Sequence, residues 1–262
     1  MSYCAPAKNL SARSCFTDRE LRAMAESYNQ ANIGPKINIY TKDLWAELHN
    51  TFFPICKDNE GCWIENQSLL EILKAKYPDL YTSIRYYSLK PLMTEGKHDW
   101  LSTTNIDEVM HQYEKVFSNF KYLGAFPSDY YKEHNFPISY FRKYKYVGLI
   151  FNTDPSYKSG SHWVAVLFET CPDGELLINY FDSTGDDPNR NIKGFLNEFK
   201  DLGTVSINKT KHQRGNSECG MYSMYFILSR LQGRSMEDIN KKRITDAEMN
   251  LYRSELFRPR AP

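Results

Sequence analysis

A cysteine attacks a carbonyl as its thiolate, so a reactive one needs surroundings that favour negative charge and a base within reach. Of the six cysteines in the chain, Cys219 has such surroundings. It follows the polar run His212, Gln213, Arg214, Gly215, Asn216, Ser217 and opens an apolar stretch. That stretch reads as a buried helix, at whose start unpaired N–H groups and the helix dipole favour an anion. Gly215 lets the loop turn tightly enough to aim N–H groups at an oxyanion, and Gln213, six positions before Cys219, adds an amide donor. The candidate bases are His49, His98, His111, His134, His162 and His212. His162 is preferred because it opens a strand after the flexible run Lys158, Ser159, Gly160, Ser161; His212, seven residues before Cys219, is the rival. Asp182, at the end of the next strand, is placed to orient the ring of His162. The chemistry would be acyl transfer to sulfur, cleaving a peptide or isopeptide bond. Taken singly, each residue has a plainer reading: a surface histidine, an aspartate forming a turn before Ser-Thr-Gly, a core cysteine. Their joint placement is what points to catalysis.

The elements that must carry these residues are legible from periodicity. Runs at 146–151, 162–169 and 175–181 read as strands, and Asp173-Gly174 between the last two predicts an antiparallel hairpin that brings His162 beside Asp182. Ile192, Phe195, Leu196 and Phe199 predict an amphipathic helix over 191–200. A short strand is expected at 204–208, and 219–231 is apolar nearly all round, a central helix ended by Gly233. Two short helices, 236–240 and 246–257, close the chain, and 100–120 carries another helical stripe. Ahead of these, Thr17 and Glu20 form a capping-box pair for a helix at 16–29, followed by helices at 43–52 and 67–76. Pro78 and the Tyr-rich segment after it mark a boundary. The expected architecture is α+β: a mainly helical N-terminal region, 1–85, and a catalytic domain, 86–262, with a small antiparallel sheet flanked by helices.

Composition narrows the alternatives. With 41% hydrophobic and 25% charged residues the chain has the makings of a folded core, and its net charge of +1 gives no global attraction to nucleic acid or membrane. The basic cluster Lys241, Lys242, Arg243 reads as a solvated helix end and leaves contact with nucleic acid an open question. No run of 18 apolar residues is present, so membrane insertion is not expected. The cysteines contain no CxxC pair and suggest neither a disulfide framework nor a zinc ribbon; Cys56 and Cys62, with His49 nearby, match no standard ligand spacing and are expected as buried thiols in a reducing compartment. The chemistry requires no metal or organic cofactor.

His162-Trp163, the segment YFDS ending at Ser183, and Gln213 followed by Ser-Glu-Cys-Gly at 217–220 together resemble the signature of the SUMO-specific proteases and the adenovirus endopeptidase. The chain order His, Asp, Gln, Cys is that family's order. The resemblance implies a papain-like, circularly permuted cysteine protease core. It extends to WLSTTNIDEVM at 100–110, which looks like the family's Trp-Leu entry motif. By that resemblance Trp100 and Trp163 enclose a tunnel for Gly-Gly backbone and are the substrate-binding residues. Ser102, Thr103 and Thr104 stand where SUMO proteases carry Asn-Asp. Downstream, 219–231 and 243–258 are similar to the polyprotein-processing proteases of large cytoplasmic DNA viruses, such as that of African swine fever virus. That enzyme has Asn as its third catalytic residue, where this chain has Asp182. The function so implied is cleavage of viral structural polyproteins after Gly-Gly-type sites during virion maturation, in the host cytoplasm and the virion. The alternatives are a deSUMOylating or deubiquitinating hydrolase acting on a ubiquitin-like protein, and an inactive binding module.

Overall fold

The Thr17 hydroxyl accepts the N–H of Glu20, and the Glu20 carboxylate accepts the N–H of Thr17 at 2.7 Å, so the first helix starts where the capping pair predicts. The computed structural model describes residues 3–8, 12–94, 96, 99–136 and 138–259. The chain divides into two compact units, one running to Met93 and taken up again from Leu256, the other Thr94–Glu255.

The first unit holds α1 (Asp18–Ala31), α2 (Leu44–Cys56), α3 (Glu60–Trp63), α4 (Gln67–Lys76) and α5 (Pro78–Tyr87) around buried Met24, Leu48, Trp63, Leu69, Leu73 and Ile84. Pro78 starts α5 at a position where its missing N–H costs nothing, instead of ending the helical region. The cysteines depart from expectation. Cys4 pairs with Cys15 and Cys56 with Cys62 in disulfides, and Cys171 and Cys219 are free. Helix ends and turns bring the paired Cα atoms to 5.0 and 5.4 Å, a proximity that spacing along the chain does not reveal. The expectation of buried thiols at Cys56 and Cys62 is therefore corrected, and the inference of a reducing compartment loses its support.

The second unit is built on a sheet of β1 (Phe120–Pro127), β2 (Tyr146–Asn152), β3 (Trp163–Thr170), β4 (Leu176–Phe181) and β5 (Gly203–Ile207), in that order across the sheet. The predicted β3–β4 hairpin sits at its centre, with β2 also antiparallel to β3. β1 and β5 join parallel at the two edges, so the sheet is mixed where an antiparallel one is expected. The helices are α6 (Thr103–Glu114), α7 (Ile138–Lys143), α8 (Arg190–Asn197), α9 (Cys219–Leu231), α10 (Met236–Asn240) and α11 (Asp246–Leu256), with a 3-10 turn at Tyr130–Lys132. Val164, Val166 and Phe168 of β3 pack with Ile192, Phe195 and Leu196 of α8 on one face, while α9 packs on the other. Burial of both faces accounts for the continuous apolar run of β3. Ser102 caps α6 through Asn105, which leaves Trp100 and Leu101 ahead of the helix rather than in it.

Candidate active site

Residues Ala165 to Thr170 of β3 pair with Phe181 to Leu176 of β4, so the start of one strand and the end of the other lie side by side. His162 stands just before β3 and Asp182 just after β4, and His162 Nε2 lies 2.8 Å from Asp182 Oδ1. This leaves Nδ1 for Cys219, the first residue of α9, which is 2% exposed. Among the described residues no side chain caps α9, so its first N–H groups stay available to an anion.

The charges in this cluster are set by opposing forces. Burial disfavours the imidazolium of His162, but its interactions with Asp182 and Cys219 outweigh that and push its pKa up to about 10. Burial would likewise raise Asp182; the bond from His162, its charge, and the N–H and hydroxyl of Thr184 at 2.8 and 2.7 Å hold the carboxyl below its ordinary value. Asp182 thus forms a turn with Thr184 and holds His162 with one and the same oxygen.

Gln213 is 2% exposed and fixed at both ends of its amide. The hydroxyl of Ser183 donates to its Oε1 at 2.7 Å and its Nε2 donates to the Gly215 carbonyl at 3.1 Å, which leaves one amide hydrogen uncommitted. The main-chain N–H groups of His212 and Gln213 both donate to the Ser183 carbonyl at 2.8 Å, tying this loop to the segment after Asp182. Ser183 and Thr184 stood out in the sequence only as neighbours of Asp182; the hydrogen bonds of Ser183 to Gln213 and the 212–213 loop depend on tertiary approach.

The other histidines do not meet the sulfur. His212 is wholly buried: Nδ1 accepts the Ile244 N–H and Nε2 faces Asn240 Oδ1, each at 3.0 Å, and burial lowers its pKa. His49 pairs with Asp58, His111 with Glu114, and His134 stacks on Tyr130. His98 lies outside the described residues.

Trp100, 46% exposed, and Trp163, 6% exposed, line a cleft of about 500 Å³ together with Leu101, Pro127, Asn152 and Gly160. Neither His162 nor Cys219 lines it, but Trp163 follows His162 directly. The indole of Trp163 donates to the Leu101 carbonyl at 2.8 Å, fixing the two walls against each other. Gly220 lies beneath them: a Cβ there would sit 3.2 Å from Leu101 and 3.4 Å from Trp163. Among the described residues no cluster of His, Cys, Asp or Glu could hold a metal ion, and no helix is long and apolar enough to cross a membrane.

No protein-family model matches the chain. A protein of Acanthamoeba polyphaga mimivirus assigned as a thiol protease, R355, is 28% identical over 98% of this chain and 94% of its own. The SUMO-1 cysteine protease S273R of African swine fever virus is 28% identical over 77% of this chain and 83% of its own. The crystal structure of the African swine fever virus pS273R protease superposes with a TM-score of 0.70, at 21% identity, covering 99% of this chain and 96% of that one. Likeness in sequence along most of the chain, on a shared fold, makes this a cysteine-type endopeptidase with a protein substrate, similar to the proteases of these two viruses.

Proposed function

We propose that Cys219, His162, Asp182 and Gln213 are the catalytic machinery of an endopeptidase that cuts viral structural polyproteins after Gly-Gly-type sites during virion maturation. The observation that carries this reading is the 2.8 Å pairing of His162 with the buried Asp182 at the end of a hairpin whose other partner is a cysteine opening a buried helix. The proton of the Cys219 thiol rests on His162, and the sulfur, as thiolate, bonds to the scissile carbonyl carbon while the C=O electron pair moves onto oxygen. The N–H of Cys219 and the uncommitted amide hydrogen of Gln213 receive that charge. Collapse expels the amine, which takes the proton from His162. A water, deprotonated by His162, then hydrolyses the thioester, and the sulfur leaves as thiolate with the water's proton on His162, which restores the resting pair. The same ring serves as base and acid, which suits a histidine whose proton is held by Asp182.

Trp100 and Trp163 bind the substrate backbone in this reading. The close seating of Gly220 against Leu101 and Trp163 supports it by holding the start of α9 against the walls that carry both tryptophans. The unit Thr94–Glu255 carries the catalysis, with the host cytoplasm and the virion as its places of action. A second reading has one observation in its favour, the name SUMO-1 cysteine protease borne by the African swine fever virus relative: the substrate would then be a ubiquitin-like protein. A panel of Gly-Gly-X peptides, precursor proteins, and folded SUMO and ubiquitin fusions, each tested with wild type and Cys219→Ala, separates the two. Cys219-dependent cutting of peptides and precursors with the fusions spared is expected. Cutting of a folded fusion alone would replace the first reading by the second.

A further inference from the structure

The C-terminal helix α11 contributes nothing to the chemistry above, yet one face of it is spent on the loop that leads to Cys219. Asp246, Asn250 and Arg253 fall at i, i+4 and i+7, on a single side of the helix. Asp246 Oδ2 accepts the N–H groups of Arg214 and Gly215, each at 3.1 Å. Asn250 donates to the carboxylate of Glu218 at 3.1 Å, and that carboxylate also accepts from the hydroxyl of Ser217. Arg253 Nη2 donates to the Ser217 carbonyl at 3.2 Å and to the Asp99 carbonyl at 3.1 Å. The first lies two residues before the nucleophile; the second lies one residue before Trp100.

Arg253 is an unusual side chain to find there. It is 1% exposed, its hydrogen bonds run to two main-chain carbonyls and the amide oxygen of Asn250, and its Nη1 has no partner. Among the described residues no carboxylate lies within ion-pair distance of it, so its burial is not repaid by the usual means. Glu218, Cys219 and Asp99 lie close enough to act on its charge. What the guanidinium does accomplish is geometric. A planar group with donors in fixed directions holds two carbonyls that belong to different walls of the site.

We propose that the polar face of α11 positions the oxyanion loop, and that Arg253 is the positioning residue that keeps this loop in register with the Trp100 wall. The inference rests on the protease reading above, and deepens it: Arg253 touches neither substrate nor sulfur and acts through Ser217 and Asp99. A displacement of the oxyanion donors weakens transition-state binding more than ground-state binding, so the effect belongs in kcat.

The test uses the full chain with Arg253→Lys, which keeps the charge and loses the fork, and Asn250→Ala. Each is assayed for Gly-Gly-X peptide cleavage and for alkylation of Cys219 by iodoacetamide, a reaction that forms no oxyanion. For Arg253→Lys, kcat is expected to fall about 100-fold with KM and the alkylation rate within about threefold of wild type. For Asn250→Ala the expected fall in kcat is about tenfold. Wild-type kcat in Arg253→Lys, or alkylation lost in step with cleavage, overturns the inference. Should Arg253→Lys fail to fold, unchanged kcat in Asn250→Ala overturns it equally. A wild type inert towards peptides, precursors and folded fusions alike sinks the protease reading and this inference together, whereas a wild type active on any of them, with variants unimpaired on that substrate, sinks this inference alone.

Discussion

The charge state of His162 governs what the site can do at each pH. Its pKa is raised to about 10, so it holds its proton across the neutral range and gives it up only in alkali. A raised value means that the ion pair with Asp182 contributes stability that is fully present below about 6.5, the ordinary histidine value, and is lost as pH rises through about 10. In the proposed mechanism the imidazolium is also the acid that protonates the leaving amine. We therefore expect kcat/KM for peptide cleavage to stay level from about pH 6.5 to about pH 9 and to fall as pH approaches the value of His162. Asp182→Asn removes the charge that retains the proton and the acceptor that fixes the ring. Its alkaline limb should move down towards about 6.5, with a loss of about 100-fold or more at neutral pH. A limb that stays in place in Asp182→Asn would show that Asp182 does not hold the proton of His162.

At the level of elements, the hairpin, the central helix and the capped first helix were readable because each rests on local rules. Asp173-Gly174 closes β3 on β4, α9 is apolar nearly all round, and Thr17 with Glu20 marks a helix start. This is why His162, Asp182 and Cys219 could be placed on their elements from residue types alone. β1 was not readable, because its pairing shifts register between Tyr122 and Ala125, around Gly124 at φ 136°, and the alternation of its burial breaks at Ala125. The direction of β1 and β5 depends on crossovers that periodicity does not encode. The same limit hid Ser183, Thr184 and the face of α11, whose roles exist only once distant segments meet. One element-level consequence concerns Gly203, which begins β5. A Cβ there would sit 1.8 Å from the Leu176 carbonyl oxygen of β4, a main-chain atom that cannot step aside. Gly203→Ala should cost about 1–3 kcal/mol or more in urea unfolding. A variant as stable as wild type would mean that β5 does not pair with β4 as described.

Across the whole molecule the cysteines divide by unit and by task. The four in the first unit are paired, while Cys171 and Cys219 in the second are free. Denatured protein that has not been reduced should therefore titrate two thiols, and six after reduction. Each disulfide closes a short loop and should contribute about 2–3 kcal/mol by restricting the unfolded chain. Urea unfolding of Cys4→Ser/Cys15→Ser against wild type measures this for the first pair. Six titratable thiols without reduction would remove both bridges from the account. The near-neutral net charge and ordinary composition say little about such a protein; the residues proposed to do its chemistry are few, held at the ends of two central strands, a helix start and a loop.

The most direct test of the central claim is to trap the acyl-enzyme. Wild type, Cys219→Ala and His162→Gln are each mixed with a Gly-Gly ester, quenched in acid within the first turnover, and read by intact mass and peptide mapping. An acyl adduct on Cys219 is expected in wild type, none in Cys219→Ala, and a strongly slowed one in His162→Gln. An adduct on another residue, or turnover by wild type with no covalent species on Cys219, would contradict it.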